Sequence, residues 1–315
     1  MKQTHCRFYL LPNYSLLALT SAVEALRVAN KKANSDLYSW ELVSNHGGLF
    51  ASSGGVELFT IAISKIDKDQ KLDRFIICGG DGSEHLSDEI TLNFVRHQTR
   101  QSFMAGAISD GSYLAAKAGV FDGYRSTIHW ECHDGYVEQN PDLEVTRQIY
   151  EIDRERFSCA GGSAAFDLFL KLVEMDHGRH LSLEIAENSV VADIRSEGSR
   201  QRMNPSYKFA AANPHIGNVI DKMERHLENP LSIQVLADEE GISVRQLGRI
   251  FHQYVGDSPI QFYMELRIRR AAKLLRQTTM SIDEVSIACG FASSSHLAKN
   301  FKKIWKVSPR EYRIE

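Results

Sequence analysis

The sequence predicts two domains in series: a doubly wound α/β domain with a largely parallel sheet, then an all-α domain holding two helix-turn-helix units. Three observations carry this. From Thr4 to about Gly119 short apolar runs alternate with helix-period stretches, the signature of parallel strands covered on both faces. Residues 196–214 have little apolar period and hold two prolines and a glycine, which reads as a linker. Everything beyond is helical in pattern, and one design of short helix, glycine and second helix occurs there twice. The expected bounds are a first domain over 1–195, a linker over 196–214 and a second domain over 215–315.

Composition sets limits on the class of protein. With 315 residues the chain can build two cores, and 43% apolar with 24% charged residues excludes a disordered or fibrous chain. No apolar run reaches the ~18 residues that span a bilayer, so no membrane partner is expected. Phe8 to Leu19 has the length of a signal-peptide core. Pro12, Asn13 and Tyr14 interrupt it and Glu24 follows, so a strand running into a helix is the expectation. Cys6, Cys78, Cys132, Cys159 and Cys289 are odd in number and form no C-x-x-C pair, as expected of reduced thiols in a cytoplasm. The net charge of −3 hides an asymmetry: His215 onward holds 15 Lys+Arg against 12 Asp+Glu, the preceding residues 22 against 28. That contrast is too small to indicate nucleic acid, and the basic residues gain meaning from their places on helices.

In the first domain Cys6–Leu11, Phe75–Cys78 and Phe103–Ile108 read as buried strands, and Leu16–Asn30 and Ser87–Arg100 as amphipathic helices. Asp153–Ser158 reads as a further strand, and Ala164–Glu174 and Leu181–Ile194 as helices. Met104–Asp122 is the most informative stretch: strand residues lead through Ser109-Asp110-Gly111 into a helix. This is a nucleophile-elbow layout, in which a tight strand-to-helix turn presents one side chain.

In the second domain a helix over Ile233–Glu240 follows Ser232 as its cap, and Gly241 ends it where a positive φ is needed. Ser243 and Gln246 have capping-box spacing at the start of the next helix. There Leu247, Ile250, Phe251 and Tyr254 make the buried stripe and leave Arg245, Arg249 and His252 off it. The second copy has Ser281 as cap, Gly290 as turn residue and a helix from about Ser293 to Trp305. Its buried stripe is Leu297, Phe301 and Ile304, with Ser294, Ser295, Lys299 and Lys302 on other faces. Between the copies Pro259–Gln277 reads as one helix, roughly 28 Å long at 1.5 Å per residue. Major-groove faces on one side of B-DNA recur every ~34 Å, so one monomer could enter two successive turns.

Leu236-Ala237, Gly241-Ile242-Ser243, Leu247–Phe251, Gly256–Pro259, Arg267–Leu275, Ile287–Phe291, Phe301 and Ser308-Pro309 closely resemble the AraC/XylS family of regulators. The resemblance implies double-stranded promoter DNA and RNA polymerase as partners. It places base reading at Arg245 and Arg249, then at Ser294, Ser295 and Lys299, with His252 beside the first set. Lys302 suits phosphate contact. Gly248 offers no side chain where a polar contact is common, and Lys299 stands where Arg is usual. Lysine cannot form the planar two-bond fork to guanine, which softens reading by the second unit.

Ala22–Asn30, Gly79-Gly80, Leu114–Gly123, Thr127–Glu131 and Cys159-Ala160-Gly161-Gly162 resemble the PfpI/glutamine-amidotransferase-like fold in its GlxA-type branch. Enzymes of that fold carry cysteine at the elbow, followed in the peptidase-like members by histidine. Here Ser109 and Asp110 occupy those positions, and a carboxylate beside the serine disfavours an oxyanion. The resemblance therefore implies a binding pocket that has lost its chemistry, lined by Glu24, Ser109, Asp110, His129 and Trp130. A Ser-His-Glu hydrolase with an accessory DNA-binding domain is the rival reading. His129, Cys132 and His133 would share one face of a continuous helix and could then bind zinc. No fourth ligand is evident, and pocket-lining residues are the preferred reading, with no metal or cofactor.

The tail Ile194-Arg195 … Arg200-Gln201-Arg202-Met203 resembles the sub-branch that senses arginine, carnitine or betaines. It implies an amino-acid or quaternary-amine effector and activation of catabolic genes, by a protein acting as a homodimer. A constitutive DNA-binding protein whose first domain only dimerises is a third reading.

Overall fold

The structure, a computed structural model, describes residues 3–199, 201 and 213–314. They fall into two compact units, Met1–Gln201 and Arg202–Glu315. Most of the expected linker lies outside the described residues. The first helix beyond it begins at Pro214, where Asn213 caps the chain and proline's missing N–H costs nothing.

The first unit is built on an eight-stranded sheet of order β3-β4-β2-β1-β5-β6-β10-β9. Its centre is parallel: β1 (Thr4–Leu10) lies between β2 (Tyr38–Ser44) and β5 (Leu72–Cys78), and β6 (Ser102–Ile108) joins β5 to β10 (Arg156–Cys159). Only the edges turn back, β3 (Gly48–Ala51) on β4 (Glu57–Ala62) and β9 (Tyr150–Asp153) on β10. A separate parallel pair joins β7 (Arg125–Thr127) to β8 (Glu144–Thr146).

Alternation along the central strands builds two cores. Cys6, Phe8, Leu10, Ile76, Cys78, Met104 and Ile108 face one layer, with α1 (Leu16–Ala33), α5 (Ala164–His177) and α6 (Arg179–Asn188). Tyr9, Phe75, Ile77, Ala105 and Ala107 face the other, with α2 (Glu89–Gln101) and α3 (Gly111–Lys117). A last short helix, α4, spans His133–Gln139.

Three expectations need correction here. Asp153–Ser158 is not one strand: Arg154 takes φ +53° and turns the chain between β9 and β10. The helix expected to reach Ile194 ends at Asn188, and Val190, at φ +57°, folds the chain back. The strands β2, β3 and β4 have no counterpart among the expected elements.

The second unit holds α7 (Pro214–Arg225), α8 (Ile233–Glu239), α9 (Val244–Tyr254), α10 (Pro259–Gln277), α11 (Ile282–Ala288), α12 (Ser294–Trp305) and α13 (Pro309–Ile314). It has two cores. Ile216, Val219, Ile220, Met223, Leu236, Leu247, Phe251 and Tyr263 form the first. Ile268, Leu274, Leu275, Val285, Phe291, Leu297 and Phe301 form the second. The single helix α10 supplies Tyr263 to one and Ile268 to the other, so its 19 residues set the separation of the two.

Candidate functional site

Both helix-turn-helix units take the expected form. Gly241 and Gly290 have φ +68° and +69°, the left-handed conformation that ends α8 and α11. Ser243 Oγ accepts from the Gln246 N–H at 3.2 Å at the start of α9, but the reciprocal capping box forms elsewhere, between Ser281 and Glu284. Ser293 caps α12 through His296 N–H.

Arg245, Arg249 and His252 project from α9 and are exposed, as are Ser295, Lys299 and Lys302 on α12, while Ser294 is half-buried. The buried stripes are shorter than expected. Leu247, Ile250, Phe251, Leu297 and Phe301 are buried, whereas Tyr254 and Ile304 are each 38% exposed. Both lie in the last turn of their helix, beyond the reach of the core. Among the described residues neither Arg245 nor Arg249 forms an ion pair.

In the first unit β6 runs into Ser109, which adopts φ +55°, and on into α3. A non-glycine residue there carries strain of about 1–3 kcal/mol and persists only where its surroundings hold it. Here the Ser109 N–H donates to the Cys159 carbonyl at 3.1 Å. Glycines allow the close approach: a Cβ on Gly161 would stand 2.7 Å from Ser109 Cβ, and one on Gly79 2.0 Å from Gly111 N.

Asp110 is buried, and among the described residues its Oδ1 finds no hydrogen-bond partner. Burial pushes its pKa up to about 6, against the opposing hydrogen bond from Cys132; Glu84, Asp81 and Glu131 push it further up. Burial and Asp110 in turn raise the Cys132 thiol well above its ordinary value, so it serves as a donor, not a nucleophile. Cys132 is not among the expected pocket residues. Only its place one residue from His133, in the trio weighed for zinc, singles it out in the sequence.

His129 and Trp130 follow Ile128 after the end of β7, with ring centres 5.6 Å apart, and both are part-buried. Cys132 is the cap of α4 and His129 lies before it, so His129, Cys132 and His133 do not share a continuous helix. Among the described residues no three His, Cys, Asp or Glu side chains are disposed to hold a metal. Glu24 lies on α1. Half-exposed there, it is held by Arg27 at 2.6 and 2.7 Å. It lines a groove of about 550 Å³ with Ser163, Asp167, Asp193 and Arg195, and that lining includes neither Ser109 nor Asp110. A serine whose neighbour is an acidic group and whose supposed triad carboxylate is taken by an arginine has little means of becoming a nucleophile.

None of the five cysteines is in a disulfide, and among the described residues no helix is long and apolar enough to cross a membrane.

A doubly wound domain with a strained elbow, followed by two helix-turn-helix units joined by one helix, defines an α/β domain in series with a helix-turn-helix domain. Comparison with known proteins agrees on both halves. A model of the helix-turn-helix domain matches residues 236–314 and one of the DJ-1/PfpI family matches residues 8–175. The HTH-type transcriptional regulator GbdR of Pseudomonas aeruginosa is 37% identical over 306 residues, 97% of this chain and 83% of that protein. CdhR, an HTH-type regulator of the same organism, is 36% identical over 307 residues, 97% of this chain and 90% of its own. The crystal structure of an AraC family transcriptional regulator from Pseudomonas putida superposes with a TM-score of 0.54 at 25% identity, over 59% of this chain and 99% of that one. The chain belongs to the AraC-family HTH-type transcriptional regulators that carry a DJ-1/PfpI domain. It is a DNA-binding regulator, as GbdR and CdhR are named HTH-type transcriptional regulators.

Proposed function

We propose that the first unit binds a small amino acid or quaternary amine at the elbow and that occupancy changes how the second unit engages promoter DNA. The observation that carries this is Asp110: a buried carboxyl with one oxygen lacking a partner among the described residues, held at a strained turn in a fold whose enzymes keep their nucleophile one residue away. A buried carboxylate with one oxygen unpartnered is costly, and a ligand bearing a cationic nitrogen lowers that cost. Trp130 supports the same class, since an aromatic face attracts a quaternary nitrogen. Arg245 and Arg249 read base edges through α9; Ser294, Ser295 and Lys299 do so through α12; His252 and Lys302 contact the phosphate backbone.

The regulator acts in the cytoplasm as a homodimer, recruits RNA polymerase and activates catabolic genes for its effector. Residues 1–195 and 215–315 are its sensory and DNA-binding domains, joined by 196–214. The test is the affinity of the full chain for DNA selected from a random pool, measured with and without arginine, carnitine and glycine betaine. One of these should change that affinity at least five-fold. Identical affinity with all three would contradict the proposal.

A further inference from the structure

Gln201 is the last residue of the first unit. Its side-chain amide donates to three acceptors: Gln148 O at 2.7 Å, Ile128 O at 2.9 Å and Thr127 Oγ1 at 3.0 Å. An amide nitrogen carries two hydrogens, so these bonds are shared ones. The acceptors sit beside the elbow. Thr127 and Ile128 lead straight into His129 and Trp130, and the Thr127 carbonyl accepts from Ser112 Oγ on α3 at 2.9 Å. Two hydrogen-bond steps therefore connect the helix of the elbow to the last residue before the second unit.

A second attachment lies six residues upstream. Arg195 gives its backbone N–H and its Nε to the Asp167 carboxylate at 3.0 Å each, and its Nη2 to Ser163 Oγ at 2.8 Å. Ser163 follows Gly161 and Gly162, and Gly161 packs on Ser109. The strap starts where Val190, a β-branched residue 92% exposed, holds φ +57°. It thus reaches the segments that flank the elbow on two sides, that of Gly161 through Arg195 and Ser163, and that of β7 through Gln201.

The two attachments differ in kind. Asp167 is 3% exposed and its bonds to Arg195 are charge-assisted, which makes this end an anchor. The Gln201 end is neutral, and its own Oε1 is buried with no donor among the described residues. That unmade bond opposes the three that are made, and water would supply it on release.

We infer that Ser189–Ser199 and Gln201 form a strap anchored at Arg195, whose Gln201 end, fastened to Thr127 and Ile128, is released or reset when a ligand binds at the elbow. The strap is then the element through which the pocket acts on the DNA-binding unit. This rests on the ligand-responsive reading above.

The experiment compares the full chain with Gln201→Ala and with Gln201→Asn, which keeps the amide on a side chain one methylene too short. Without ligand, exchange of the backbone amides of Ser196–Ser199 should rise at least ten-fold in either variant while α5 is unchanged. Affinity for DNA selected from a random pool should shift at least five-fold, as though the pocket were filled. Unchanged exchange, or unchanged ligand-free DNA affinity, overturns the strap. Failure of arginine, carnitine and glycine betaine to bind the wild-type chain overturns the effector class instead, since neither of the two strap measurements uses a ligand.

Discussion

Arg267 stands 4.2 Å over the ring of Phe291 and donates to the carbonyls of Cys289 and Gly290 at 2.9 and 2.5 Å. These are the carbonyls at the end of α11, so a residue of the long helix α10 completes the turn of the second helix-turn-helix unit. The orientation of α12 thereby becomes a property of α10. Arg267→Ala leaves two carbonyls without their donor and strips the ring of its cation. The loss should be about 2–4 kcal/mol, read as a lower denaturation midpoint of the second unit by the fluorescence of Trp305. A change within about 0.5 kcal/mol, the range of an ordinary surface substitution, would show that the turn holds itself.

Arg249→Ala should weaken binding to a selected DNA site by about 1–3 kcal/mol and leave random DNA nearly unaffected, because the side chain stands exposed on α9 and is proposed to read base edges. Lys302→Ala should weaken all sequences alike and lower the salt slope by about one. Equal losses on specific and random DNA for Arg249→Ala would remove Arg249 from the reading face.

Asp110 gives a pH signature of fixed sign. Its folded pKa, up to about 6, lies above the ordinary 3.8 because burial disfavours the charge. The folded state therefore holds the proton more tightly than the unfolded one. No penalty applies below pH 3.8; one grows between pH 3.8 and 6 and is complete above. Asp110→Asn should stabilise the ligand-free first unit above pH 6 by on the order of 3 kcal/mol and have no effect near about pH 3.5. A melting-temperature difference that is the same in acid and at neutral pH would contradict this.

Ser109→Gly should be neutral or stabilising by up to about 1 kcal/mol, since glycine takes φ +55° without strain. The wild-type chain should hydrolyse neither amides nor peptides. Turnover that disappears in Ser109→Ala would restore the hydrolase reading.

What the sequence disclosed follows from where the apolar residues are consecutive. β1, β5 and β6 are buried on both faces over most of their length, so their apolar runs are nearly continuous, interrupted in β1 by the buried Arg7, and visible. β3 and β4 expose every second residue, Leu49 and Phe59 at 68% and 72% among them, and glycines at 47, 48, 54 and 55 flank them, so they read as loop. The turn at Arg154 has no glycine, asparagine or proline to announce it. The helix-turn-helix units were legible because their signals are local: caps, turn glycines and stripes lie within about twenty residues. The candidate site at the elbow was only half legible. Ser109 and Asp110 are fixed by the elbow, but the Asp110–Cys132 pairing joins residues 22 apart across two elements, and Glu24's partner Arg27 lies on its own helix.

The measurement that bears most directly on the whole reading is calorimetric titration of the full chain, and of its Asp110→Asn variant, with arginine, carnitine, glycine betaine and acetate near neutral pH. At least one ligand with a cationic nitrogen should bind the wild-type chain, lose ten-fold or more in affinity in the variant, and leave acetate without measurable heat. Binding of acetate as tight as any amine, or amine binding indifferent to Asp110, would contradict it.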